Sequence, residues 1–167
     1  MASYDYGKTE IVEWAKAHIK QYSRCLDVGA CNGKWYNLLG KYFNMYAVEV
    51  FEPNIINYKL REKYQKVFCC NIVNFEYDWW DLIIFGDVLE HLTVEDAQCV
   101  LQYAYPRCKD MIISVPYLLK QDEIYGNPYE KHIQDDLTPE IFAERYPGFE
   151  LILQPVDNYA YYHKKGK

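Results

Sequence analysis

Leu26-Asp27-Val28-Gly29-Ala30-Cys31-Asn32-Gly33 joins an apolar run to an amphipathic one. Arg24 to Val28 reads as a strand and a helix follows from about Trp35 to Phe43. The two glycines therefore sit at a strand-to-helix turn, where open α/β sheets bind their ligands. Glycine there permits close backbone approach or a positive φ. A dinucleotide fingerprint requires G-x-G-x-x-G, and this loop has G-x-x-x-G. A phosphate loop requires G-x-x-x-x-G-K-[ST]; Gly29 to Gly33 is one residue short, and Trp35 stands where a hydroxyl is needed. Asp27, an acid in the first turn, repels phosphate and suits a ligand that carries positive charge.

Outward from this loop the chain alternates between helical and strand-like segments. Ile11 to Tyr22 is an amphipathic helix with Ile11, Trp14, Ala15 and Ile19 at helical spacing. Met45 to Val50, Val67 to Cys70, Asp81 to Phe85 and Met111 to Val115 are strands, the last halted by Pro116. Pro53 opens a helix to about Tyr64, as proline does at a first helical position. Thr93, with Asp96 three residues on, starts another. A polar loop runs from Tyr117 to Leu137, and Thr138-Pro139 caps a helix to about Tyr146. Phe149 to Leu153 and Asn158 to His163 close the chain as a strand pair. The alternation predicts a seven-stranded, mostly parallel Rossmann-like α/β sheet with helices on both faces and one antiparallel hairpin at its edge. The expected organisation is one domain over residues 1–167, with residues 1–22 as an N-terminal helical lid segment and 117–137 as a substrate-side loop.

Composition narrows the classes. The 167 residues are 50% hydrophobic and 25% charged, enough for a core and unlike a disordered chain. No apolar run reaches a membrane span and no Asn-x-Ser/Thr acceptor occurs; with Asp5 and Glu10 among the first residues and no apolar core there, a secretory leader is not expected. The net charge of -6 disfavours nucleic acid as a partner. Cys25, Cys31, Cys69, Cys70, Cys99 and Cys108 form no metal-type spacing, so reduced thiols in a cytoplasmic protein are expected. Lys59, Arg61, Lys63 and Lys66 read as a solvated helix face, and Lys164-Lys165-Gly166-Lys167 as a frayed tail.

Glu49, near the end of the second strand, matches the carboxylate that hydrogen-bonds ribose in nucleoside-binding α/β folds. Asn71-Ile72, after the third strand, offers an amide and an apolar side chain for an adenine edge and face. Together with Asp27 these describe a pocket for an adenosine joined to a cationic amino acid. On these residues the chain resembles the class I S-adenosylmethionine-dependent methyltransferases along nearly its whole length. Asp27-x-Gly29-x-Cys31-x-Gly33 is similar to that family's first motif, D/E-x-G-x-G-x-G, with Cys31 for the middle glycine. The resemblance implies S-adenosylmethionine as cofactor and S-adenosylhomocysteine as product. It implies that Asp27, Gly29, Ala30, Cys31 and Gly33 hold the methionine end, Glu49 with Val50 the ribose, and Asn71 with Ile72 the adenine. Phe85, Gly86 and Asp87 would line the floor.

A second dense stretch is Asp87-Val88-Leu89-Glu90-His91. A helical turn there places Asp87, Glu90 and His91 at i, i+3 and i+4 on one face. Flanking carboxylates raise the basicity of an imidazole, or all three groups ligate a metal. The Leu89-Glu90-His91 segment resembles that of small-molecule O-methyltransferases, and Ser114-Val115-Pro116 and Asn127 to His132 are similar to segments of such enzymes. A narrower resemblance is to small-RNA 3′-terminal ribose 2′-O-methyltransferases, which use E-x-x-E-H and a distant His on a divalent metal. Asp87, Glu90, His91 and His132 would fill those places. The expectation is methyl transfer to a small-molecule acceptor, with Asp87, Glu90, His91 and His132 as catalytic residues and no metal assigned. The alternatives are the metal-dependent RNA reaction and a cofactor-binding paralogue without catalysis.

Overall fold

A computed structural model describes residues 4–166. Seven strands form one sheet in the order β3-β2-β1-β4-β5-β7-β6. They are β1 (Arg24–Val28), β2 (Asn44–Glu49), β3 (Val67–Cys69), β4 (Trp80–Gly86), β5 (Cys108–Pro116), β6 (Glu150–Val156) and β7 (Tyr159–Lys165). β1 to β5 are mutually parallel, and β7 runs antiparallel to both β5 and β6. The chain first builds outward from β1 through β2 to β3, then returns to the other side of β1 with β4. The reversal leaves a crevice beyond the carboxyl ends of β1 and β4.

Alternation along the strands sends side chains to two cores. Leu26, Val28, Ile83, Phe85, Met111 and Ile113 face α5 (Val94–Ala104) and α6 (Pro139–Arg145). Cys25, Met45, Ala47, Leu82, Ile84 and Ile112 face α1 (Lys8–His18), α2 (Lys34–Leu39), α3 (Glu52–Asn57) and α4 (Leu60–Lys63). The central strands are buried on both sides, which is why β4 reads as a continuous apolar run.

Capping signals hold. Thr93 Oγ1 accepts from the Asp96 amide at 3.1 Å, and Thr138 Oγ1 from that of Ile141 at 3.2 Å. Several boundaries move. The first helix begins at Lys8 and ends at His18, before Tyr22, which adopts a φ of 63°. α2 stops at Leu39 because Gly40 and the turn to β2 follow. The helix expected from Pro53 to Tyr64 is two, broken where Lys59 takes a φ of 52°. β5 runs through Pro116, whose missing N–H costs nothing at a strand end. Lys164 and Lys165 pair with Met111 and Asp110 in the sheet, so they are no frayed tail; Lys167 lies outside the described residues, as do residues 1–3 of the expected lid segment. The described part of that segment packs Tyr4 and Tyr6 against the Tyr159 ring and buries Ile11, Val12 and Ala15 of α1 in the core.

Candidate functional site

A cavity partly open to solvent occupies the crevice. One wall is the β1–α2 loop. Gly29 has a φ of 72°, and a Cβ on it would lie 2.8 Å from Val88 Cγ2, so only glycine fits. Cys31 also takes a left-handed φ, of 46°, which a side chain disfavours by about 1–2 kcal/mol. The turn is held by Glu49, 4% exposed at the end of β2. Its Oε2 accepts from the Cys31 amide at 2.7 Å and its Oε1 from the Phe51 amide at 2.8 Å. Burial raises its carboxyl above the usual range, and hydrogen bonds from the Phe51 and Cys31 amides, the Asn54 side chain and the Val50 backbone oppose that rise.

Asn71 caps a short turn by accepting from the Val73 amide through Oδ1, which leaves its NH₂ free to donate. Ile72 and Cys70 line the same side. Asp27 sits behind the loop, 1% exposed, its Oδ2 accepting from the Tyr64 hydroxyl at 2.5 Å. Its Oδ1 has no hydrogen-bond partner. Burial pushes this carboxyl up to about 7, although the Tyr64 bond and the Lys8 charge pull it down.

The floor is Gly86 and Asp87. Asp87 has a φ of 57° and its Oδ1 takes two hydroxyls, Ser114 Oγ at 2.7 Å and Tyr159 at 2.5 Å. Phe85, expected beside them, is fully buried in the core under α5. The left-handed turn corrects the expected helical face: Asp87 is not stacked on Glu90 and His91, which instead lie in a separate 3-10 turn at Leu89–His91. What that turn meets is His132 from the long loop, its ring 4.7 Å from that of His91. Among the described residues, ligand-type atoms of Glu90, His91 and His132 all lie within 4.8 Å of one another.

Backbone bonds set the state of this cluster. His91 Nδ1 faces the Lys131 carbonyl at 3.1 Å and His132 Nδ1 the Leu119 carbonyl at 2.7 Å. A carbonyl only accepts, so each ring carries its proton on Nδ1 and keeps a bare lone pair on Nε2. Burial lowers both imidazoles, His91 to about 4, and holds them neutral at pH 7. Glu90 is 1% exposed with neither carboxyl oxygen hydrogen-bonded, and burial with the Asp87 charge raises it well above the carboxylate range.

The chain matches solved structures over nearly its whole length. A methyltransferase from Clostridium acetobutylicum superposes with a TM-score of 0.74 over 98% of this chain and 93% of its own, at 12% identity. Its description is an S-adenosylmethionine-dependent methyltransferase. The chain has that enzyme fold. A 1,6-didemethyltoxoflavin N1-methyltransferase from Burkholderia thailandensis, solved with S-adenosylhomocysteine and its acceptor, gives 0.69 over 95% of this chain and 77% of its own at 16% identity. The N-methyltransferase NodS from Bradyrhizobium japonicum gives 0.67 over 95% and 94% at 10% identity. No protein-family model matches the sequence. No curated protein matches it in sequence either.

In this methyltransferase fold Gly29, Cys31, Glu49, Val50, Asn71, Ile72, Asp87 and His91 line the cavity. Ala30 is buried beneath the loop and Gly33 opens α2 against Leu60 and Lys63. Glu90 and His132 stand behind His91. Sequence reasoning did not single out Asn54, which follows Pro53 in the first turn of α3 and hydrogen-bonds Glu49. Asn127, Tyr129 and Glu130 of the long loop complete the far wall.

Proposed function

We propose that the protein transfers a methyl group from S-adenosylmethionine to a small-molecule acceptor. The observation that carries this reading is Glu49: a buried carboxylate, fixed by the amides of Cys31 and Phe51, at the carboxyl end of the strand beside the switch point of a methyltransferase fold. Its carboxylate lines the cavity and suits the ribose hydroxyls, the free amide of Asn71 suits an adenine nitrogen, and Ile72 covers the ring. The cofactor, when bound, supplies an already activated methyl group on a sulfonium. The chain's own work is alignment, exclusion of water and removal of the acceptor's proton. His91 borders the cavity with a bare Nε2, placed to accept a hydrogen bond from an acceptor's O–H or N–H. The wall of Asn127, Tyr129 and Glu130 is the acceptor side, in keeping with the 117–137 loop as its gripping segment.

The single domain over 1–167 and a lid role for residues 1–22 belong to this reading. So does a cytoplasmic setting, which suits the free thiols of all six cysteines. None of the helices among the described residues is long and apolar enough to cross a membrane.

A second reading has its own observation, the Glu90–His91–His132 cluster. Two neutral imidazoles with bare Nε2 atoms and a buried, unpartnered carboxyl are a donor set that fits a divalent cation. Such an ion would displace the Glu90 proton and supply a Lewis acid toward the acceptor's oxygen; this is the feature shared with the RNA 2′-O-methyl reaction. Incubation with labelled S-adenosylmethionine and a panel of hydroxylated and amine acceptors tests both. Labelled product that survives chelator supports metal-free transfer. Activity that vanishes with chelator and returns with magnesium, manganese or zinc supports the ion. Cofactor binding without labelled product from any acceptor would leave the non-catalytic paralogue.

A further inference from the structure

The Leu89–His91 turn is too short to satisfy its own carbonyls, and a single side chain from the long loop takes up two of those at and after it. Gln134, 3% exposed, donates through Nε2 to the Leu89 carbonyl at 2.8 Å and to the Leu92 carbonyl at 3.1 Å. Its Oε1 accepts from the Tyr146 hydroxyl at 2.8 Å and from Arg145 Nη1 at 3.1 Å. Carbonyls only accept and a guanidinium only donates, so these partners allow the amide one orientation and fill all its bonding positions. Arg145 is fixed in turn by a bidentate pair with Asp136, at 2.7 and 2.5 Å. The backbone completes the join, because the Ile133 and Gln134 amides both donate to the Glu90 carbonyl, at 2.8 and 3.0 Å.

Gln134 lies two residues after His132 and grips the turn on both sides of Glu90 and His91. It thereby holds the two imidazoles together, ring centres 4.7 Å apart, and keeps the Lys131 carbonyl 3.1 Å from His91 Nδ1. That carbonyl is what leaves His91 Nε2 bare at the cavity. We propose that Gln134 is a positioning residue for methyl transfer: it does not line the cavity, and it acts by keeping His91 Nε2 turned toward the acceptor's O–H or N–H. The inference rests on the methyltransferase reading and adds to it the device that orients the imidazole. Filling space alone would suit any side chain of this size, whereas the polarity of the partners demands an amide. A glutamate of the same shape would set a carboxylate against two carbonyls and lose both donors.

Gln134→Glu therefore separates packing from positioning, since it keeps the volume and removes the donors. Ring-nitrogen NMR of the chelator-treated chain at pH 7, read beside calorimetric titration with S-adenosylhomocysteine, tests the proposal. The unaltered chain is expected to show His91 with its proton on Nδ1 alone. In Gln134→Glu that signal should give way to mixed tautomers, while affinity for S-adenosylhomocysteine stays within about twofold. Labelled transfer to whichever acceptor serves the unaltered chain should fall by about tenfold or more, in kcat and not in the KM for S-adenosylmethionine. An unchanged His91 tautomer in Gln134→Glu overturns the inference. So does a cofactor affinity that falls along with the tautomer, which would make Gln134 a support of the whole crevice. An unaltered chain that binds no S-adenosylhomocysteine overturns the methyltransferase reading instead, whatever the histidines show. If Gln134→Glu does not fold, the same comparison on Gln134→Met, of similar size and without donors, decides.

Discussion

Asp27 is the residue whose placement says most about this molecule. Its carboxyl is wholly buried, holds one hydroxyl from Tyr64 and leaves the other oxygen bare. Held up to about 7 against an ordinary 3.8, it makes the folded chain retain a proton that the unfolded chain releases. The contribution of Asp27 to stability is therefore greatest below about pH 4, declines as pH rises toward 7, and is flat above, at a cost of up to roughly 4 kcal/mol. Asp27→Asn removes that slope. Thermal melts of the two chains should diverge as pH rises from 4 to 7, with the variant the more stable at pH 8, while its affinity for S-adenosylhomocysteine falls by about tenfold or more. Parallel melting curves for the two chains would mean that Asp27 is not the burden described. The same titration makes cofactor affinity decline below pH 7, because the ammonium of the ligand needs the ionised form.

At the scale of elements, the β1–α2 loop is where sequence and conformation disagree in a useful way. Cys31 occupies a left-handed position that the resembling motif fills with glycine, and its amide is nonetheless held by Glu49. Cys31→Gly relieves about 1–2 kcal/mol of strain and loses about 0.5–1 kcal/mol to the greater freedom of the unfolded chain. The net expectation is a gain on the order of 0.5 kcal/mol, read by urea denaturation, with cofactor binding retained. A loss of a kilocalorie or more would show that the thiol packs productively against the cavity wall. The strands and their parallel order were legible in the sequence because apolar runs such as Leu82 to Phe85 are buried on both faces, and caps such as Thr93 and Thr138 carry their own local signal. The break at Lys59 was not, since Leu60, Arg61, Glu62 and Lys63 after it favour a helix; the turn there accompanies burial of both Ile55 and Leu60. Asp87 failed for the opposite reason: its spacing to Glu90 and His91 suits a helix, yet hydroxyls from Ser114 and Tyr159, on strands far away in sequence, capture the side chain and turn the backbone left-handed.

Taken whole, the molecule is a sheet with a single sequence reversal; among the described residues, the buried unpartnered polar atoms of Asp27, Asn32 and Glu90 lie at or beyond the carboxyl ends of β1 and β4, whereas those of Tyr77 and Trp80 lie at the amino end of β4. Asp27 and Glu49 were legible because their strands end in recognisable turns. His132 was legible only through resemblance, since forty residues separate it from Glu90 and His91, and the loop that returns it is anchored by backbone bonds from Ile133 and Gln134 to the Glu90 carbonyl.

The central claim, that the crevice beside Glu49 is a cofactor site, is tested most directly by calorimetric titration of the unaltered and Glu49→Ala chains with S-adenosylhomocysteine. The account predicts one site per chain with micromolar affinity, weakened by about 1–3 kcal/mol in Glu49→Ala through loss of hydrogen bonds to ribose. No heat of binding at millimolar ligand, or equal affinity in the two chains, would contradict it.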